Sequence, residues 1–261
     1  MLFGQTNDVM GPLNPMINDD TLMWNAGNVG DRRPMFRAKW DEDLGGGERF
    51  VVAGALALTG AIDVKDLDAN GVRDGEDSGL PGYQFRVGHV SRSWVRDAFS
   101  DVGFYGFAGF EQIATPIAGR SKFTGRGLGV DWSVPLLKRV TLRGEAWYGQ
   151  NLSDWRAGIG QGVNTITGEE IESRGGWAEL QFEPFDWYRF AVGATIDDPV
   201  NRDLIGNSST RIQNQTMYVG NRFFLGGGLM VALNFEYWKT HHLGLAPGDA
   251  FRFKTVVIQN F

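Results

Sequence analysis

Oxygen-bearing side chains stand at regular intervals in DLDANGVRDGED, residues 66 to 77: Asp66, Asp68, Asn70, Asp74 and Asp77, with Gly71 between the third and fourth. Positions 1, 3, 5, 9 and 12 around a glycine at 6 form the spacing of a calcium loop, in which the Val72 carbonyl supplies a further oxygen and Gly71 permits the sharp turn. Carboxylates crowded this closely repel one another unless a cation neutralises them, so one structural Ca2+ is expected here. Asp77, where an EF-hand has a bidentate glutamate, lowers the expected affinity toward that of extracellular modules. An EF-hand would also flank the loop with helices. The flanks FVVAGALAL (50 to 58) and YQFRVGHV (83 to 90) read instead as strands, which makes 61–81 a calcium-binding loop inserted between strands.

Catalytic chemistry finds little support. Glu179 and Glu183 share a strand face, but carboxylates four residues apart on a strand lie ~13 Å apart, too far for a glycosidase pair. No G-x-S-x-G elbow is present, and GRGLGV (125 to 130) and GIGQGV (158 to 163) lack the spacing and the helix of a nucleotide loop. His241 and His242 read as solvated loop residues. Without cysteine there is no thiol chemistry, and a net charge of -6 argues against a nucleic-acid binder. The sequence does not read as an enzyme.

The elements that must carry these residues follow from alternation. In GLMVALNFEYWK, Leu229, Val231, Leu233, Phe235 and Tyr237 fall on one face, and Met230, Ala232, Asn234, Glu236 and Trp238 on the other. WAELQFEPF and RRPMFRAKW divide in the same way, each with a polar, often charged, face. Thirty-seven glycines and 13% aromatics suit an all-β chain. Twelve strands are expected, near 2–8, 32–41, 49–60, 82–92, 101–113, 122–134, 139–150, 175–184, 187–197, 211–224, 228–239 and 250–261. Long connections at 9–31, 61–81, 114–121, 151–174, 198–210 and 240–249 take turns with short ones such as LLKR, PFD and LGGG. A soluble sandwich has no reason to sort its loops by length, whereas an outer-membrane barrel has short turns at one end and long loops at the other. The strand lengths, and aromatics near strand ends (Trp132, Tyr148, Tyr188, Tyr237), fit a membrane-crossing antiparallel up-and-down β-barrel in one domain, 1–261. No run of apolar residues is long enough for a membrane helix.

Three stretches, GQTNDVMGPLNP (4 to 15) running on to NAGNVGDRRPMFR (25 to 37), AGIGQGVN (157 to 164), and the last strand ending in Phe261, together resemble the DcaP-like porins of Gram-negative and related bacteria. Gln259 departs from the apolar residue usual in such a terminal strand. The resemblance implies an outer-membrane, homotrimeric diffusion channel for small, often anionic, solutes. Because the chain starts inside a strand and has no leader, it is expected to be an N-terminally truncated piece of a larger barrel.

Inside a barrel the polar strand faces line the lumen, so the pore wall can be read from the alternation. Arg33, Arg37, Lys39, Arg86, Arg252 and Lys254 form an expected basic wall. Asp131, Glu145, Glu179, Glu183, Asp197 and Glu236 form an acidic one, accompanied by Arg143 and Arg189. Loops 9–31 and 151–174 are candidates to fold inward and narrow the pore. The expected function is passive diffusion of small hydrophilic, anionic or carboxylated solutes across a lipid outer membrane. The alternative of a different class is a secreted, calcium-stabilised β-protein that binds a ligand such as a glycan.

Overall fold

In the computed structural model, residues 1–17, 23–206 and 210–260 are described; Phe261, part of the expected terminal signature, and residues 18–22 of the first long loop lie outside them. The strands are β1 (Leu2–Asn7), β2 (Arg32–Gly45), β3 (Glu48–Ala57), β4 (Gly82–Arg92), β5 (Phe99–Ile117), β6 (Arg120–Leu137), β7 (Val140–Gln150), β8 (Glu172–Phe185), β9 (Tyr188–Pro199), β10 (Arg211–Gly226), β11 (Leu229–His242) and β12 (Leu245–Gln259). They form one antiparallel sheet in chain order, each strand hydrogen-bonded to its sequence neighbours. β1 pairs only with β2, and β12 only with β11, so among the described residues the sheet has two free edges.

Two stretches expected as long loops are strand instead. Residues 114–121 lie almost wholly in β5 and β6, which meet at a two-residue turn, and 240–249 fall in the β11–β12 hairpin. Alternation fades there because a hairpin rising clear of the sheet body is wetted on both faces, which removes the apolar/polar contrast that marks a strand in sequence. The connections at 8–31, 58–81, 151–171 and 200–210 are the long ones, and the other ends of the strands carry the short turns.

The two faces of the sheet differ as the alternation requires. Phe36, Phe85, Leu128, Phe182, Met217, Phe235 and Phe253 are exposed on the outer face. At the β8–β9 turn Phe185, Trp187, Tyr188 and Phe223 stack with ring centroids 5.1 to 6.4 Å apart, a cluster of amphipathic rings near one end of the strands. Glycines on the inner face have a packing role. Gly125, Gly127 and Gly129 of β6 face inward, and Trp155, Phe107 and Tyr105 lie flat across them, so that a Cβ on Gly129 would run into the Tyr105 ring. Trp147 lies over Gly175 and Tyr218 over Gly193 in the same way. The period-2 glycines of GRGLGV are therefore the floor on which large rings lie against a curved wall.

Candidate functional site

Two connections fold onto the inner face. The described parts of the first, 8–17 and 23–31, have their backbone held by side chains of strands far away in sequence. Val9 N–H donates to Gln84 Oε1 at 2.7 Å, Met16 N–H to Glu179 Oε2 at 2.8 Å, and Val29 N–H to Glu145 Oε1 at 3.0 Å. Trp147 Nε1 donates to the Gly27 carbonyl at 2.7 Å and Asn214 Nδ2 to the Asn25 carbonyl at 2.8 Å, while Arg222 donates to the Met16 carbonyl. Those partners come from β4, β7, β8 and β10, so the sheet wraps around the segment. A backbone buried without its own ladder needs such partners, and the wall supplies them.

The second connection, 151–171, is locked to the first through Arg33. Its guanidinium takes Asp8 in a two-pronged contact (2.8 and 3.1 Å) and Asp154 at 2.6 Å, and donates again to the Asp154 carbonyl at 2.7 Å. Asp154 also accepts the Gly60 and Ile62 N–H groups at 3.0 and 2.9 Å. Beside it Lys65 Nζ meets Glu111 at 2.9 Å and Asn151 Oδ1 at 3.0 Å. Burial lowers the Lys65 pKa, but Glu111 and Asp63 outweigh it and hold the amine above its ordinary value. Ile159 adopts a left-handed φ of 55°, a strained conformation for a β-branched residue, with its N–H on Asp197 Oδ2 at 3.1 Å.

The register puts the expected wall residues on the inner face, but in two different environments. Asp131, Glu145, Glu179, Asp197 and Glu236 are each no more than 2% exposed. Asp131 is taken by Arg86, with contacts of 2.6 and 2.9 Å, and Glu179 by Arg143, Tyr218 and Met16. Glu236 accepts Trp238 Nε1 at 2.8 Å and lies 3.7 Å from Arg252. Only Glu183 among these acids is open, paired to Arg189 at 2.6 Å. The cations run the other way: the Lys39 and Arg252 side chains are each 48% exposed, Arg189 33% and Arg143 21%, with Arg37 and Lys254 half-buried. Arg33 and Arg86 are exceptions, sealed in their ion pairs, and the Lys254 Nζ is buried as well. Five of the six expected acids are thus sealed, occupied in holding the inserted segments and their neighbours, while Glu183, and Asp41 beside Lys39, are open.

At the loop 66–77 the structure gathers part of the expected ligand set. Carboxylate oxygens of Asp66, Asp68 and Asp74 lie within 4.8 Å of one another. Asp77 stands outside that cluster, on the short helix α1 (Asp74–Asp77), and accepts Asn70 Nδ2 at 2.9 Å. Asn70 Oδ1 in turn takes the Val72 N–H at 2.7 Å. Asp68 Oδ2 caps the Ala114 and Thr115 N–H groups at 2.6 and 3.0 Å, and the bond from Thr115 leads the causes that hold its pKa below the ordinary carboxylate value. Asp68 Oδ1 is buried without a hydrogen-bond partner. Burial, opposed by the Leu67 N–H, lifts the Asp74 carboxyl to about 6.

Sequence reasoning did not single out Asp8, Gln84, Trp147, Asp154, Asn214 or Tyr218, although they position the inserted segments. Only Trp147 and Tyr218 among them carry a sequence signal, the inner-face glycines Gly175 and Gly193 over which their rings lie.

No family model matches the chain, and neither does any curated protein. Among solved structures, the chain is similar to the outer membrane channel DcaP of Acinetobacter baumannii, with a TM-score of 0.70 and 14% identity, over 98% of this chain and 70% of that one. The fold is thus that of a porin β-barrel.

Proposed function

We propose that this protein is an outer-membrane channel for the passive diffusion of small hydrophilic solutes, with a preference for anions and carboxylated compounds. The observation that carries the preference is the unequal burial of the expected wall charges: five of the six acids are no more than 2% exposed, Glu183 being open, while Lys39, beside Asp41 at 2.9 Å, and Arg252, 3.7 Å from Glu236, are each 48% exposed. A charge sealed in an ion pair contributes little to the potential in the lumen, whereas a solvated cation attracts counter-ions directly. Segments 8–31 and 151–171 narrow the passage. The apolar outer face supports contact with lipid and with further copies in a trimer, and the free edges of β1 and β12 would pair with additional strands in a complete barrel. The test is the reversal potential of the channel in a planar bilayer under a salt gradient. A potential of the sign that denotes anion preference is expected, and cation preference would overturn the reading.

The loop 66–77 binds calcium in this reading, through Asp66, Asp68 and Asp74. Support comes from the convergence of the three carboxylates and from the buried, unpartnered Asp68 Oδ1. Asn70, Val72 and Asp77 are left to one another, so the site is weaker than a complete loop would give. Its role is structural: Asp68 and Lys65 tie the loop to β5 and to the inserted segment 151–171. Calorimetric titration of calcium into chelator-treated protein tests it, and an absence of heat at millimolar calcium would remove the site.

A further inference from the structure

Where the connection 58–81 meets segment 151–171, an amine, an amide and a carboxylate close a ring of three contacts against the inner face of β5. Lys65 Nζ donates to Asn151 Oδ1 at 3.0 Å, Asn151 Nδ2 donates to Glu111 Oε2 at 2.9 Å, and the same Glu111 oxygen lies 2.9 Å from Lys65 Nζ. Asn151 is fully buried, Glu111 is 3% exposed and the Lys65 side chain 14%. Ser153 Oγ accepts a further bond from the amine at 3.3 Å, and Asp63, to which Ser153 donates, lies 3.6 Å from the amine. Gly162 roofs the group: a Cβ there would run into Asn151 Oδ1 and Ser153 Oγ and would stand 2.9 Å from Lys65 Nζ. Leu67, Ile113 and Val163, next or next but one in the chain to Lys65, Glu111 and Gly162, form an apolar cluster.

These are the parts of an acyl transfer. An amine held on a carboxamide is a nucleophile beside an electrophile, whose carbon lies one bond, ~1.2 Å, beyond the contacted oxygen. An ionised carboxylate repels a nucleophile and a neutral amide does not, which makes Asn151, rather than Glu111 or Asp63, the acceptor. Glu111 touches both partners, so it can take a proton from the Lys65 ammonium and pass it to the departing nitrogen. The step balances: Lys65 Nζ bonds to Asn151 Cγ, the Cγ–Nδ2 bond breaks, and Nδ2 leaves as ammonium with the two protons that Nζ gives up. Glu111 ends as it began. No oxidant, reductant or cofactor enters.

We propose that Lys65 and Asn151 are joined by an isopeptide bond, which the folded chain forms by itself with Glu111 as proton carrier. The bond links residues 86 apart in sequence and fixes the connection 58–81 covalently to segment 151–171, as a disulfide would in a chain that has no cysteine. It depends neither on the solute preference of the channel nor on calcium.

Mass spectrometry of the purified full chain, denatured after folding, reads the bond directly. The wild type should be lighter than its sequence by one ammonia, and its tryptic digest should contain one branched peptide that joins Lys65 to Asn151. Lys65→Arg, which keeps a cation beside Glu111, and Glu111→Gln should each show the full mass of their sequence and no branched peptide. A wild type of full mass would overturn the proposal, as would an ammonia deficit that survives in Lys65→Arg or that maps to a succinimide at Asn70 without a branch. Loss of one water in place of ammonia would place the bond on a carboxylate and overturn the role of Asn151. The wild-type measurement needs no substitution, so a variant that fails to fold leaves the test intact.

Discussion

Two parts of the inner wall carry similar kinds of residue and use them differently. Across β4 to β10 the wall is covered: Gln84, Glu145, Glu179 and Asn214 spend their polar atoms on the backbone of segment 8–31. Across β12 and the part of β2 beyond Met35 it is open, and Lys39 and Arg252 stand half in solvent. The difference teaches that position on the lumen face does not make a residue part of the permeation surface. What decides is whether a buried N–H elsewhere in the chain needs it.

The largest effect should come from breaking the anchor of the covered wall. Arg33→Met leaves Asp8 and Asp154 buried without their cation, and loss of one partner of a buried pair costs about 3–5 kcal/mol. Denaturant unfolding measures it; a loss below about 1 kcal/mol would mean that the inserted segments are held by something else. A smaller effect, about 1–3 kcal/mol, is expected from Gly129→Val, which forces the Tyr105 ring off the covered wall. Gly248→Ala on the open β12 hairpin has nothing within 4 Å of the new methyl and should fall within about 0.5 kcal/mol, so equal costs at the two glycines would erase the contrast. The smallest effect belongs to the outer loop. Asp66→Ala with Asp68→Ala should abolish the calorimetric heat of calcium binding while leaving most of the stability in place. Because the folded loop holds the Asp74 proton up to about pH 6, calcium must compete with that proton at lower pH, and wild-type affinity should fall as pH drops through this value.

Much of the fold was legible because alternation is a local signal. The parity of GLMVALNFEYWK put Met230, Ala232, Asn234 and Glu236 on the inner face, and those four are buried. The hairpins at 114–121 and 240–249 were not legible, since strands wetted on both faces lose the alternation. In the site, parity gave the face of Glu179 but not what it does there. Its partner Met16 lies 163 residues away in sequence and offers a backbone N–H, a group every residue but proline has. The loop 66–77 shows the converse limit. Spacing nominated five side chains, yet the chain gathers the carboxylates of Asp66, Asp68 and Asp74, while Asn70 and Asp77 satisfy each other.

In the proposed channel the exposed cations, and not the buried acids, set the selectivity. Reversal potentials of two single variants in the same salt gradient test it most directly. Lys39→Glu alters the open wall and should move selectivity toward cations. Glu179→Gln removes a charge of the covered wall that is 2% exposed, and should leave the reversal potential near that of the wild type while loosening the segment around Met16, seen as noisier current. A shift from Glu179→Gln as large as that from Lys39→Glu would contradict the account.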